Sequence, residues 1–368
     1  MFHFVFAFSF WSSLPSLCLY DLNMKSGHKI LLKCLPVFLL LVLFLAKARE
    51  QNLYERFLQS SIITFKDFAP AYEAALIEAQ KEGKQPEYHF PPAIKPGPAD
   101  QRVIPPIIHF IWFQNLYHDH LDVSQIPAKG SHAPGRCRDF NPEFEVIIWN
   151  ATGARTLLEE RYAWFLPTYD AYKYPIQRVD AFKYFVLWHY GGIYMDLDVS
   201  CRRALNPLLP FPAWFPKAQP FGVNNDLMAS RARHPLLGMM LEQLEVRNRN
   251  LLFPYLTIFW STGPQFTSDV LKMWYQKLGG MDAAGEDTYW DKVYILPQDF
   301  YSEKYTFFGH SPGGTWHGKD VAFILWLVDH PWVFVVLPVL ISPVFVVWIR
   351  RRRILQARYR GYRHVDSQ

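Results

Sequence analysis

Hydrophobic positions are concentrated towards the two ends of the chain rather than spread evenly along it. Near the C-terminus, residues 332–349 contain no charged side chain, and a run of arginines follows at once. A bilayer core is crossed by about 17–25 residues of this kind, and flanking arginines mark the cytoplasmic side. The pattern therefore predicts a transmembrane helix over 332–349 and a basic cytoplasmic tail over 350–368.

The N-terminal hydrophobic run covers residues 30–46 and is interrupted by Lys33. It fits a signal anchor, but Ala46-Lys47-Ala48 also resembles the site at which a signal peptide is cleaved. Residues 1–29 are then either a cytoplasmic segment or a mis-called start, because a basic stretch begins at Met24. Both alternatives place the middle of the chain in a lumen, across the membrane from the basic tail.

Between these ends, β-rich runs alternate with helical stretches. Residues 107–112 and 144–149 are short runs typical of buried strands. A helix is predicted over 178–190, ended by Gly191, and the strand Ile193-Tyr194-Met195 leads from it into Asp196. This alternation predicts an α/β sheet, in which binding sites gather at the carboxyl ends of the strands.

Proline spacing and composition set the limits of the predicted domain. Closely spaced prolines between residues 86 and 106 predict a stem and stiff linker over 47–102, followed by a globular domain over 103–330. The net charge of +5 owes much to the basic tail and gives no reason to expect nucleic acid as a partner. Cys137 and Cys201 either pair in an oxidising compartment or remain two free thiols.

Asp196-Leu197-Asp198 is the segment with candidate chemistry. Mg²⁺ and Mn²⁺ prefer oxygen ligands and usually bind one or two carboxylates together with substrate phosphates. A D-x-D triplet is weak by itself, since chance matches occur on surface turns. Its context strengthens it, because a helix, two glycines and a strand lead into the carboxylates. Asp180 and Lys183 also share one face of that helix.

The block from Arg178 to Asp198 resembles the signature of retaining glycosyltransferases of family 32. Together with further family-like segments, the resemblance covers roughly residues 103–320. It implies an α/β fold, a GT-A-like, Rossmann-type domain that binds a nucleotide sugar and is flanked by membrane helices. In such a domain, Asp196 and Asp198 would hold Mn²⁺ (or Mg²⁺) and act in catalysis.

The same resemblance implies roles for residues around the metal. Asp180 would contact sugar hydroxyls, and Lys183 would lie near the diphosphate, where the family usually has arginine. The further nucleotide-sugar contacts that it implies are Trp112, Arg178, Asn225 and Asp226. The alternatives are that Trp112 is a core aromatic residue and that Arg178 is an ordinary surface residue. Asn225 and Asp226 could likewise belong to an ordinary turn.

A late segment completes the implied site. Thr315 and Trp316 would close over the diphosphate, and His317 would be a further metal ligand, since imidazole suits Mn²⁺ beside carboxylates. The alternative is a Gly-rich loop with an incidental histidine.

Within the family, the mannosyltransferases that modify inositol phosphorylceramide resemble this chain better than the initiating α-1,6-mannosyltransferases do. The former combine an N-terminal hydrophobic segment with a late membrane span, whereas the latter have an N-terminal anchor only. The resemblance implies GDP-mannose as donor, inositol phosphorylceramide as acceptor and a role in sphingolipid biosynthesis. It also implies that the sugar keeps its anomeric configuration through a front-face reaction. The expected location is the Golgi membrane, with the catalytic domain in the lumen and a regulatory membrane subunit as partner. Two alternatives stay open: an α-1,6-mannosyltransferase that acts on N-glycans or protein-linked glycans, and a non-catalytic regulatory subunit with a degenerate transferase domain.

Overall fold

The computed structural model describes the chain in several stretches. They are residues 26–68, 103–113, 128–219, 221–278, 290–300, 307–310 and 319–330, with a few isolated helical positions elsewhere. The contacts divide the chain into two compact units. One is Ala46–His317, and the other combines Met1–Leu45 with Gly318–Gln368.

The secondary structure confirms an α/β arrangement. The strands are β1 Ile107–Ile111, β2 Glu145–Trp149, β3 Gly192–Met195, β4 Val199–Cys201, β5 Ala213–Pro216, β6 Leu227–Ser230, β7 Tyr294–Leu296 and β8 Phe308–His310. The helices are α1 Ser26–Ser60, α2 Ala128–Phe140, α3 Ala151–Arg161, α4 Leu166–Ala171, α5 Pro175–Tyr190, α6 Pro235–Val246, α7 Pro254–Ser261, α8 Pro264–Lys277 and α9 Lys319–Asp329. Short 3₁₀ turns lie at Phe65–Asp67, Ala163–Phe165, Asn206–Leu208 and Gln298–Phe300.

Six strands form one mixed sheet in the order β2-β1-β3-β6-β5-β7, and β4 pairs with β8 in a separate two-stranded sheet. The β1–β2, β1–β3 and β5–β7 pairs are parallel, whereas β6 runs antiparallel to both β3 and β5. Buried apolar side chains form two large clusters, and one of them contains most of the buried face of α5. The carboxyl end of β3 therefore lies in the middle of the main sheet, next to an antiparallel strand.

The α5–β3 connection has the local structure that the sequence predicts. Pro175 occupies the first turn of α5, where its missing N–H costs nothing. The helix ends at Gly191, whose φ is 69°, and Gly192 follows with a φ of 100°. A Cβ atom on Gly192 would lie 2.6 Å from the carbonyl oxygen of Ile107. Glycine is therefore required both by the backbone conformation and by the close approach of β1.

The second half of α1 is part of the core of the larger unit, although the sequence suggested a stem in this region. Tyr54 and Leu58 are buried, and the Tyr54 hydroxyl donates to the carbonyl oxygen of Ser268 (3.1 Å). Glu55 accepts hydrogen bonds from the Lys217 ammonium (2.5 Å) and from the backbone N–H of Gly222 (3.0 Å). The range 47–102 thus contains at least one segment that packs as domain structure.

In the part of the chain that the structure describes, no helix has the length and apolar character needed to cross a membrane. The predicted span over 332–349, the tail over 350–368 and the segment over 1–29 lie almost wholly outside the described residues. The predicted segment over 30–46 belongs to α1. Both flanking membrane segments stay predictions. The larger unit ends at His317, somewhat before the predicted domain boundary at 330.

Candidate active site

Asp196 and Asp198 lie where β3 ends. The backbone N–H of Asp196 donates to the carbonyl oxygen of Asp226 (2.7 Å), which extends the β3–β6 pairing by one step. The N–H of Val199 then donates to the carbonyl oxygen of Asp196 (3.0 Å), so that a tight turn joins β3 to β4. Backbone hydrogen bonds on both sides therefore fix the segment that contains the two carboxylates.

The β4–β8 sheet brings a histidine to the same place. The two strands are antiparallel, with Val199 opposite His310. Nε2 of His310 lies 3.7 Å from Oδ2 of Asp198 and 4.0 Å from Oδ2 of Asp226. Its contact with Asp198 raises the pKa of His310 above the ordinary value, although partial burial opposes this. The resemblance includes His310 in a late family-like segment but implies no site role for it, because only the pairing of two distant strands places it beside Asp198.

The carboxylates of Asp196, Asp198 and Asp226 form one acidic cluster. The protein around Asp196 displaces water and raises the pKa of its carboxyl group to about 7. The Lys183 ammonium opposes this rise, whereas the negative charges of Asp198 and Asp226 add to it. A bound cation would relieve the repulsion among these groups. Negative charge is therefore concentrated where a metal ion is expected.

Lys183 is buried, with its side chain only 2% exposed. Its Nζ lies 2.7 Å from Oδ1 of Asp180 and 3.8 Å from Oδ1 of Asp196, and it donates to the carbonyl oxygen of Asn225 (3.0 Å). Burial opposes the charge on Lys183, but the carboxylates of Asp180 and Asp196 outweigh it and raise the pKa of the ammonium. These contacts tie α5 to the end of β3 and to the turn before β6. A diphosphate contact for Lys183 stays a prediction.

Buried hydrogen bonds connect the acidic cluster to the core. The Tyr194 hydroxyl donates to Oδ1 of Asp196 (2.5 Å), and Oγ1 of Thr262 donates to Oδ2 of Asp180 (3.2 Å). Nδ2 of Asn225 donates to the carbonyl oxygen of Thr262 (3.3 Å). Thr262 belongs to a family-like Thr-Gly-Pro segment that the sequence left out of the site as a possible turn. Tyr194 had a detectable signal, because residues two apart on a strand point to the same face.

Two other predicted site residues have structural contacts of their own. Arg178 donates through Nε to the carbonyl oxygen of Tyr169 (3.1 Å) and through Nη2 to that of Asp170 (3.2 Å). Trp112 follows β1, and its backbone N–H donates to the carbonyl oxygen of Trp149 (2.8 Å). Contacts of Arg178 and Trp112 with a nucleotide sugar stay predictions. The structure thus groups Asp180, Lys183, Asp196, Asp198, Asn225 and Asp226, and it attaches Arg178 to α4.

The carboxylates fit a divalent cation. Oδ1 of Asp198 is buried and accepts no hydrogen bond among the described residues, which suits an oxygen that coordinates a metal. Within the same residues, no group of three or more His, Cys, Asp or Glu is arranged to hold a metal. Mn²⁺ and Mg²⁺ commonly take further ligands from substrate phosphates. The predicted ligand His317, together with Thr315 and Trp316, lies outside the described residues.

Comparisons with known proteins identify the family of the chain. Residues 127–214 match the family described as "Glycosyltransferase sugar-binding region containing DXD motif". Inositol phosphoceramide mannosyltransferase 3 of Schizosaccharomyces pombe is 36% identical over 247 residues, which cover 67% of this chain and 65% of that protein. The match therefore spans slightly less than two thirds of that relative. Inositol phosphoceramide mannosyltransferase 1 of the same organism is 32% identical over 236 residues, which cover 63% of this chain and 68% of that protein.

A solved structure titled "PaToxG Glycosyltransferase" is 17% identical and gives a TM-score of 0.37, with 57% of this chain and 82% of that chain covered. A likeness this weak carries no argument. The family match includes the D-x-D segment, and the second relative is covered over more than two thirds of its length. This chain belongs to the glycosyltransferases whose sugar-binding region contains a DXD motif, the family of the fungal inositol phosphoceramide mannosyltransferases.

Proposed function

We propose that this chain is a metal-dependent, retaining mannosyltransferase that transfers mannose from GDP-mannose to inositol phosphorylceramide. The observation that carries the proposal is the Asp196–Asp198 pair at the end of β3, with a buried Asp198 oxygen suited to a metal. The names of the relatives support the sugar and the class of acceptor. A GT-A-like arrangement of the mixed sheet belongs to the same proposal.

The residues of the chain build the frame for this reaction. Asp196 and Asp198 would hold Mn²⁺ or Mg²⁺, which supplies positive charge for the departing diphosphate. The pairing of β3 with β6 keeps Asp226 beside them, where its carboxylate can accept hydrogen bonds from sugar or acceptor hydroxyls. The buried Lys183–Asp180 pair fixes the end of β3 against α5. These residues therefore orient the ligands and place charge.

The location of the protein is part of the proposal. We place the catalytic domain in the Golgi lumen, with membrane segments over 30–46 and 332–349 and a cytoplasmic basic tail. The Cys137–Cys201 disulfide supports this, because such bonds persist in oxidising compartments. A domain held near a bilayer would meet a lipid headgroup readily, and a regulatory membrane subunit is a further expected partner.

The metal site is tested by replacing Asp198 with Asn in the full chain. Mannose transfer from GDP-mannose, assayed in membranes with and without added Mn²⁺, is expected to fall by roughly 100-fold or more, since charge stabilisation of this kind is worth that much. Asp170→Asn is the matched control, because Asp170 is an exposed carboxylate that pairs with Arg155. Full activity of Asp198→Asn would overturn the metal-site assignment.

The acceptor is tested separately with the wild-type chain. Membranes receive GDP-mannose together with either inositol phosphorylceramide or a core N-glycan. We expect transfer to the lipid alone. Transfer to the glycan alone would support the N-glycan alternative, whereas neither transfer nor metal-dependent hydrolysis of GDP-mannose would support a non-catalytic subunit.

A further inference from the structure

Tyr194 lies on β3, and Asp196 follows the last residue of that strand. Side chains two residues apart on an extended backbone point to the same side. Its side chain is buried, with 1% exposure. The hydroxyl donates to Oδ1 of Asp196 at 2.5 Å, at the short end of the range for a hydrogen bond from a hydroxyl to a carboxylate. Oδ1 of Asp196 therefore has a protein partner before any ligand arrives.

Lys183 lies beside the same oxygen. Its ammonium is 3.8 Å from Oδ1 of Asp196 and 4.9 Å from the centre of the Tyr194 ring. Nζ is already held by Asp180 and by the carbonyl oxygen of Asn225. The tyrosine hydroxyl makes the short contact to Asp196, and the lysine remains at a longer distance.

We propose that Tyr194 is a positioning residue, whose hydroxyl holds Oδ1 of Asp196. Oδ2 would then remain available to a metal ion, and the carboxylate would not close onto Lys183. Because the Asp196 side chain is 38% exposed, one of its oxygens can meet a ligand while the other is held from inside. Partners of this kind fix the orientation of metal-binding carboxylates, and their loss typically weakens metal binding by 10–100-fold.

Without the hydroxyl, the Asp196 carboxylate would rotate about χ2, a broad torsion with no strong preference. The nearest strong partner would then be the Lys183 ammonium. An ion pair between Asp196 and Lys183 would compete directly with the metal for the carboxylate.

This inference rests on the metal site of the proposed function, and Tyr194→Phe tests it by removing one oxygen while the ring stays in place. The full chain is titrated with Mn²⁺ in the presence of GDP. Bound metal is measured as the loss of the electron paramagnetic resonance signal of aqueous Mn²⁺, and titrations of GDP without protein correct for Mn²⁺ bound to GDP alone. Tyr54→Phe is the matched control, because Tyr54 is equally buried and its hydroxyl donates to Ser268 elsewhere in the domain.

We expect Tyr194→Phe to weaken Mn²⁺ binding by 10–100-fold and Tyr54→Phe to leave it unchanged, while thermal unfolding shows that both variants are folded. In a double-mutant cycle, Tyr194→Phe should have no further effect once Asp196 is Asn, because it acts through that carboxylate. Equal Mn²⁺ affinity for the wild type and Tyr194→Phe would overturn the positioning role alone. Absence of Mn²⁺ binding by the wild type would overturn the metal site and the positioning role together.

Discussion

The Cys137–Cys201 disulfide joins α2 to β4, and replacing both cysteines with alanine shows how strongly the domain depends on it. The bond closes a loop across a sequence separation of 64 residues. In the chain-entropy description, a loop of this length removes about 14 cal/mol/K from the unfolded chain, or about 4 kcal/mol at 25 °C. At roughly 2–4 °C per kcal/mol for a domain of this size, the midpoint of thermal unfolding should fall by roughly 8–16 °C.

The double variant is compared with the wild type by thermal unfolding of the purified full chain, followed by circular dichroism. Cys34→Ala is the control, because it leaves the disulfide intact, and its midpoint should stay unchanged. Reduced wild type should unfold near the double variant. A fall of less than about 2 °C would refute the reasoning, since it would mean that the cross-link hardly restricts the unfolded chain.

Two further predictions concern His109 and Gly192, which lie at the connection between α5 and β3. Burial lowers the pKa of His109 to about 4 from 6.5, so the unfolded chain binds this proton more readily. The contribution of His109 to the free energy of unfolding should therefore fall by about 3 kcal/mol between pH 6.5 and 4. Urea unfolding across this range should show a shallower fall for His109→Gln, whereas parallel curves would contradict the prediction. Gly192→Ala should destabilise the domain by at least about 1 kcal/mol, because alanine would be strained at the positive φ of Gly192. Gly135→Ala is the control: Gly135 lies on α2 with nothing within 4 Å of the added Cβ, and the substitution should stabilise the domain slightly. Similar midpoints of thermal unfolding for the two variants would rule out backbone strain at residue 192.

Local patterns were sufficient to predict the α5–β3 part of the fold. The predicted helix over 178–190 corresponds to α5, Pro175–Tyr190, and the predicted stop at Gly191 is its observed end. The strand into Asp196 is β3, and the run over 107–112 is β1 with one residue fewer. These elements could be predicted because the glycine conformations and the apolar periodicity that define them involve only a few neighbouring residues.

Long-range packing was not predictable from the same patterns. Tyr54 and Leu58 lie in a segment with many polar and charged residues, and only contact with α8 and its neighbours makes that face of α1 a core face. His310 lies close to Asp198 because β4 pairs with β8. This pairing could not be predicted from the sequence, since each strand has only three residues. The burial of Lys183 could not be predicted either, since a lysine on a helix is usually exposed.

The packing of α1 has a consequence for the synthesis of the protein. Tyr54 finds its partner Ser268 only 214 residues later, which a ribosome adding about 5–20 residues per second needs roughly 10–40 s to produce. During that interval the apolar face of α1 has no native surface to cover it, so we expect the nascent chain to expose apolar surface until α8 has been made. The D-x-D segment emerges well before β8, and the acidic cluster gains its histidine only when the domain is almost completely made.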